Sequence, residues 1–337
     1  MEIKTHFGNP LIEQRNLAAG LAKVFLAKSV IEVSGEDRLE WLHSMLTSDF
    51  LNLKPGLSRE ALLLDVNGHV LNEFHAVALD DAVWLIVDTS AVASLMTHFD
   101  RMIFRSKVEV RDRSADFAIF GLHGDAAASE AVEATWVDGW PLVALGGARY
   151  AASVPSGWKY REVVVKASEA DTFAPSLLPA GTDAQLALRI AAHRPAVEDV
   201  DARSLPHEHD WLASAVHLTK GCYRGQEAVA KTHNLGHPPR RLTLLHLDGS
   251  NHSLPERGDE VELDGAVVGT VANVAQHHEA GPIAFALLKR NAATDAELLV
   301  VGSSGDRWSA TQEIIVPPTA GKANDAPRRN LLMGKGH

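Results

Sequence analysis

Lys220-Gly221-Cys222-Tyr223-Arg224-Gly225-Gln226-Glu227 holds the only cysteine among 337 residues. Positive charge beside a thiol favours the thiolate, its reactive form, and the flanking glycines let the backbone turn tightly or approach a ligand. With no second cysteine, no disulfide can form within the chain. A lone cysteine is otherwise a small buried hydrophobe, but the glycines and cations here point to a ligand-facing loop. From His217 to Arg241 five cations (Lys220, Arg224, Lys231, Arg240, Arg241) face one acid, Glu227. In a chain of net charge −11, that local excess either suits an anionic ligand or marks a solvated basic loop.

The totals narrow the setting of this loop. A net charge of −11 argues against a general nucleic-acid binder, which needs a broad basic face for phosphates. The length predicts two to three domains, and 46% hydrophobic residues suffice for a sizeable core. A single cysteine fits a reducing compartment. Met1–His6 has no apolar signal region, and no apolar run reaches the roughly 20 residues of a membrane span. The expectation is a soluble cytoplasmic protein.

Upstream of the loop, strands and helices interleave. Asn9-Pro10 opens a helix; Val24–Ala27 and Val30–Val33 read as strands; Ser34-Gly35-Glu36-Asp37 reads as a helix cap. Glu60–Asp65 and Val70–Leu79 are strands joined by the turn signal Asn67-Gly68, and Val83–Val87 is the next. Thr89 or Ser90 starts a helix whose stripe is Val92, Leu95, Met96, Phe99 and Ile103. Strands at Val108–Val110 and Phe117–Leu122 precede an alanine-rich helix near Ala126–Ala134, then a strand at Glu162–Val165 and a helix at Ala184–Ala192. This order is α+β rather than a simple parallel sheet. After Arg240, short alternating strands broken by Asp248-Gly249, Asp264-Gly265 and Ser304-Gly305-Asp306 predict an antiparallel β-domain. Past Pro317-Pro318 the composition has little to bury, and a disordered tail is expected over 318–337.

Conventional sites are missing. There is no nucleotide-binding glycine loop, no nucleophile elbow and no paired-cysteine zinc site. His207-Glu208-His209-Asp210 and His277-His278-Glu279 lack helical ligand spacing and read as solvated loops, so no metal site is expected. His217 and His233 lie near Cys222 in sequence as possible bases.

The loop resembles the K-G-C-[FY]-x-G-Q-E signature of the YgfZ family, folate-binding relatives of the glycine-cleavage T-protein (aminomethyltransferase). Ala230–Gly236, Pro238–Arg241, Val33–Asp37, Gly281–Ala284 and Ala286–Arg290 are also similar to the family, so the resemblance spans roughly residues 15–316. It implies a three-part, cloverleaf-like α+β architecture with tetrahydrofolate in a central hole. On that pattern, residues 1–50 with about 115–205 form a discontinuous folate-binding domain, and about 51–114 an inserted α+β domain. About 206–239 is then the signature segment, and 240–317 the β-domain.

Two departures bear on chemistry. Where T-proteins carry an aspartate pair that assists aminomethyl transfer, Asn67–Glu73 offers Asn72 and Glu73; an amide is no general base. Where T-proteins carry R-x-E-A-G, with a glutamate on the pterin, this chain reads Arg189-Ile190-Ala191-Ala192-His193. The resemblance implies a folate-binding protein supporting assembly or repair of iron–sulfur clusters in client enzymes, including tRNA-modifying ones. Cys222 would be its reactive thiol, with Lys220 and Arg224 lowering its pKa. Gly221, Tyr223, Gly225, Gln226 and Glu227 would complete the signature, and Asn72, Glu73, Arg189 and Tyr223 would be folate neighbours. The basic excess would suit a folate glutamate tail. A tetrahydrofolate-dependent aminomethyl or one-carbon transferase using Glu73, and a non-enzymatic interaction scaffold, are the alternatives. Implied partners are folate and iron–sulfur enzymes or assembly proteins.

Overall fold

The computed structural model describes residues 2–126, 131–250 and 253–322. Asn9 opens helix α1 (Pro10–Ala18) as expected: its side chain accepts from the amides of Leu11 and Ile12. Strands β1 (Ala22–Phe25) and β2 (Lys28–Ser34) lead to helix α2 (Arg38–Met45). Strands β3 (Ser58–Leu64), β4 (Val70–Ala78) and β5 (Ala82–Asp88) follow as a meander, with Gly68 of the first turn at φ 83°. Helix α3 (Val92–Met102) buries Val92, Leu95 and Phe99 of its stripe. Then come β6 (Glu109–Asp112), β7 (Phe117–His123), β8 (Val132–Val137), β9 (Tyr160–Lys166), β10 (Leu178–Ala180) and α4 (Thr182–Ala191). Helix α5 (Gln226–Leu235) starts inside the cysteine motif. The remaining strands are β11 (Arg240–Leu247), β12 (Glu260–Leu263), β13 (Ala266–His277), β14 (Gly281–Lys289), β15 (Leu298–Val301) and β16 (Arg307–Ile314).

Three sheets organise these elements. One runs β10-β1-β7-β9-β8, a second β3-β4-β5-β2-β6, and β11-β14-β13-β12-β15-β16 closes into an antiparallel barrel. The α+β part and the C-terminal β-domain expected from the sequence are both present. The two open sheets pack face to face: Val24, Ile119 and Val164 of the first share a core with Leu62, Trp84 and Ile86 of the second. The outer face of the second sheet is covered by α2 and α3 through Trp41, Phe74 and Phe99. Helix α4 packs Ala187 and Ile190 against Phe285 of the barrel.

Several local expectations fail for identifiable reasons. Ser34 does not cap a helix, because it is the last ladder residue of β2, opposite Ala82 and Glu109. Asp37 holds the cap position of α2, without a side-chain cap bond. The helix expected near Ala126–Ala134 is instead strand β8 from Val132, whose buried Ala134 and Trp136 alternate as a strand requires; residues 127–130 lie outside those described. The boundary expected at residue 50 does not divide the sheets, since Ile31 of β2 pairs with Leu85 of β5. The sheets part between β1 and β2, near residue 27. Of the tail, residues 318–322 are ordered against the body: Lys322 N–H donates to Gly236 O at 2.8 Å, and Ala320 is buried. Residues 323–337 lie outside those described.

Candidate functional site

Alternation along β4 sends Phe74 into the core under α2 and α3, and Glu73 and His75 toward the other sheet. There they wall a cavity of about 280 Å³ at the junction of the two sheets and α4. Lys28 of β2, Asp88 at the end of β5, Tyr160 and Glu162 of β9, Thr182, Asp183, Gln185 and Arg189 of α4, Asp138, Trp158 and the segment 194–198 complete its polar and aromatic lining. Leu26, Ile86, Val87 and Leu186 supply apolar wall.

The floor is a buried charge network. Lys28 Nζ donates to Glu162 Oε1 at 2.5 Å, and Tyr160 Oη donates to the same oxygen at 3.2 Å. His75 lies between two carboxylates, with Nδ1 2.8 Å from Glu162 Oε2 and Nε2 3.1 Å from Glu73 Oε1. Its ring stacks on Trp136 at 3.6 Å. The Arg194 guanidinium meets three acids, Glu60 at 2.9 Å, Asp138 at 2.9 Å and Glu73 at 3.4 Å. Trp211 Nε1–H donates to Glu60 and Trp158 Nε1–H to Asp138, each at 2.8 Å.

This arrangement sets the protonation states. Burial pushes the Glu73 carboxyl up, but the hydrogen bond and charge of His75, with Arg194 and Lys28, hold it well below the usual carboxylate range. Glu162 is likewise opposed by burial, yet His75 and Lys28 bring it down to about 2. Burial dominates at Glu60, with Glu73 and Asp138 adding to it against Arg194, and the carboxyl is pushed up to about 7. Burial would lower His75, but Glu162 and Glu73 raise it. Glu73 is therefore a bound, ionised acceptor with poor basicity. Its second oxygen also takes the Val197 N–H at 2.9 Å.

Glu60, Glu73 and His75 offer ligand atoms within 4.8 Å of one another, the metal-like spacing found among the described residues. The Arg194 guanidinium already sits 2.9 Å from Glu60 and 3.4 Å from Glu73, so the cation position is filled by protein.

Of the four residues expected as folate neighbours, Glu73 and Arg189 line the cavity, and Asn72 and Tyr223 do not. Arg189 is committed there to Asp199, Glu198 and the Arg194 carbonyl, which leaves its guanidinium little to offer a ligand. Asn72 is on the opposite face of β4, across from Leu63, and is absent from the lining. Ala191 lies on a separate cavity of about 170 Å³ beside His123 and Trp158.

The cysteine loop is elsewhere. Cys222 is exposed. Lys220 turns inward, its ammonium donating to the carbonyls of His43 and Leu46 at the end of α2 and lying 5.0 Å from the Tyr223 ring centre. Burial lowers its pKa to about 8. Tyr223 is buried, Gln226 Nε2 donates to Lys220 O at 3.0 Å, and Arg224 and Glu227 are exposed. Gly225, at φ 82°, lets the motif press on the Asn67-Gly68 turn: a Cβ there would lie 2.5 Å from Asp65 O. Gly221 has room for a side chain, its nearest neighbour being His43 Nε2. His233 bonds Tyr150 Oη at 2.7 Å and His217 packs on Gly146; among the described residues neither bonds Cys222. None of the five cations of 217–241 lines the cavity, so the basic excess does not form its wall.

The run His207-Glu208-His209-Asp210 is no solvated loop: all four residues are fully buried, His207–His209 within one 3-10 turn and Asp210 at its C-terminal cap. Glu208 receives Arg240 through its backbone N–H at 3.1 Å and its side chain at 2.9–3.0 Å, which ties this turn to the start of the barrel. His277 and His278 are half-buried, and the His278 N–H donates to Gln14.

Sequence reasoning passed over Lys28, Glu60, His75, Asp138, Glu162 and Arg194. The available signal was a charge inside an otherwise apolar strand, as at Glu162 among Val163–Val165 and at His75 between Phe74 and Ala76.

Comparison with known proteins agrees with this fold. Residues 19–138 match the GCVT N-terminal domain family. A chloroplastic Arabidopsis thaliana protein with a provisional transferase name is 24% identical over 81% of this chain, which spans 66% of that relative's length. The tRNA-modifying protein YgfZ of Edwardsiella ictaluri is 29% identical over 69% of this chain and 72% of its own. The mitochondrial iron–sulfur cluster assembly factor IBA57 homolog of Aspergillus clavatus is 25% identical over 89% and 76%. The crystal structure of glycine cleavage system aminomethyltransferase T from Bartonella henselae superposes with a TM-score of 0.72 at 16% identity, covering 92% of this chain and 89% of that one. The chain therefore has the T-protein fold. No helix among the described residues is long and apolar enough to cross a membrane.

Proposed function

We propose that this chain, a YgfZ-type relative of the glycine-cleavage T-protein, binds a reduced folate in the inter-sheet cavity. Through Cys222 it supports assembly or repair of iron–sulfur clusters in client enzymes, tRNA-modifying ones among them. The cavity fits the head of such a ligand. A pterin is planar and carries N–H donors along one edge; the cavity offers Trp158 and aliphatic walls together with the oxygens of Gln185, Asp138 and Glu162, each of which already bonds a protein group and would take the pterin as a further donor. Those acceptors stand in for the pterin-binding glutamate that Ala191 lacks. A bound tetrahydrofolate supplies a reduced ring system able to carry one carbon, and Glu73, Glu162 and Gln185 would hold and orient it.

The observation that carries the reading is the contrast between Glu73 and Cys222. Glu73 is tied up by His75, Arg194 and the Val197 amide, so it is a poor proton acceptor for aminomethyl transfer. Cys222 is the single thiol, exposed on a loop pinned to the body through Lys220. The names of two relatives, a tRNA-modifying protein and an iron–sulfur cluster assembly factor, favour the same reading.

The test is Cys222→Ala in a strain lacking the protein, with iron–sulfur enzyme activity and folate binding measured side by side. Lost enzyme support with retained folate binding is expected. Full complementation by the variant contradicts the thiol role, and folate turnover with a methylamine-bearing donor, abolished in Glu73→Gln, would favour the transferase reading.

A further inference from the structure

The cavity has a charge pattern at its mouth that bears on which folate it accepts, an inference that rests on the folate reading above. Of its lining residues, those exposed to solvent are Ala27, Asp88, Asp183 and Glu198. Three of these four are acids. Glu198 is met by Arg189, but among the described residues Asp88 and Asp183 pair with no cation. The lining ammonium, Lys28, stands across the β2–β5 ladder from Asp88 but bonds Glu162. Over the whole lining six carboxylates (Glu73, Asp88, Asp138, Glu162, Asp183, Glu198) face three permanent cations, Lys28, Arg189 and Arg194. Low-dielectric walls focus that negative field at the opening.

Local structure accounts for each acid without neutralising it. Asp88 accepts from the Ser90 backbone N–H at 2.8 Å, as a cap of the short 3-10 turn Thr89–Ala91. Asp183 lies in the first turn of α4, where the helix dipole favours an anion.

A cavity of about 280 Å³ is at the small end for ligand pockets, roughly 300–1,000 Å³. On the folate reading, the pterin and part of the arm would fill it and leave the glutamate tail at the mouth. Each glutamate added to that tail adds a carboxylate facing Asp88 and Asp183. We propose that Asp88 and Asp183 form an electrostatic selectivity rim that favours reduced folates with a short tail, or none, over polyglutamylated ones.

The experiment compares binding of 5-formyltetrahydrofolate as its monoglutamate and its pentaglutamate to the full chain at low and high ionic strength. The Debye length falls from roughly 30 Å at 0.01 M to 3 Å at 1 M. At low salt the monoglutamate should bind about tenfold tighter because like charges repel across the rim, and the gap should close at high salt. Asp88→Asn with Asp183→Asn, which keeps a capping side chain at residue 88, should narrow the gap at low salt. Asp183→Lys should reverse it. Equal or tighter pentaglutamate binding to the native chain overturns the rim while leaving the folate reading intact. Binding of neither form overturns the folate reading and the rim with it.

Discussion

Lys28 on the second sheet donates to Glu162 on the first at 2.5 Å, a cross-sheet ion pair in which the carboxylate side chain is 1% exposed and the ammonium side chain 26%. Removing one partner of such a buried pair strands the other. Glu162→Gln should therefore cost about 3 kcal/mol in urea unfolding at pH 7. The pH dependence has a definite sign. The folded-state pKa of Glu162 is depressed to about 2, so its contribution is full above the unfolded value and is lost as pH falls toward 2. The gap between variant and native chain should shrink below about pH 4.5.

Glu60 predicts the opposite slope. Its carboxyl is raised to about 7, chiefly by burial, so ionising it opposes folding increasingly as pH climbs from its unfolded value toward 7. Gln at this position can still accept from Trp211. Glu60→Gln should gain stability relative to the native chain between pH 5 and pH 8, by a few kcal/mol at most. Equal relative stabilities at both pH values would contradict the account of this network.

Lys220 fixes the cysteine loop by donating to the carbonyls of His43 and Leu46. Hydrogen bonds to a charged group contribute about 1.5–3 kcal/mol each when lost. Lys220→Met removes two such bonds and should destabilise the chain by about 3 kcal/mol or more. Hydrogen exchange should rise across residues 219–226 before it rises in β4 or β9.

Gly225 allows the motif to press on the turn before β4, and any Cβ there would meet Asp65 O at 2.5 Å. With φ at 82° the position is strained for an L side chain as well. Gly225→Ala should cost about 1–3 kcal/mol and lower the thermal midpoint more than Gly221→Ala, where space is open.

The parts of this molecule written in local pattern were readable from the sequence. The stripe Val92-Leu95-Phe99 gave α3, the Asn67-Gly68 turn gave the β3–β4 hairpin, and the alternation after Arg240 gave the barrel strands. The cavity was not readable in this way. Its charges come from residues 28, 73, 138, 162 and 194, brought together only when the two sheets face each other. Asn72 and Glu73 were expected on one site, but neighbours on a strand face opposite ways, so of the two only Glu73 lines the cavity. The His207–Asp210 run looked solvated because polar residues crowd it. Its burial comes from packing with α5 and the barrel, including the Arg240–Glu208 pairing, and no local signal encodes that.

Trp158 lines the cavity and reports on it directly. The central claim is tested by titrating the full chain with tetrahydrofolate while following tryptophan fluorescence, in the native sequence and in Trp158→Phe. The account predicts a saturable change in the native chain that is largely lost in the variant, while calorimetry shows that the variant still binds. No saturable change and no heat of binding in the native chain would contradict it.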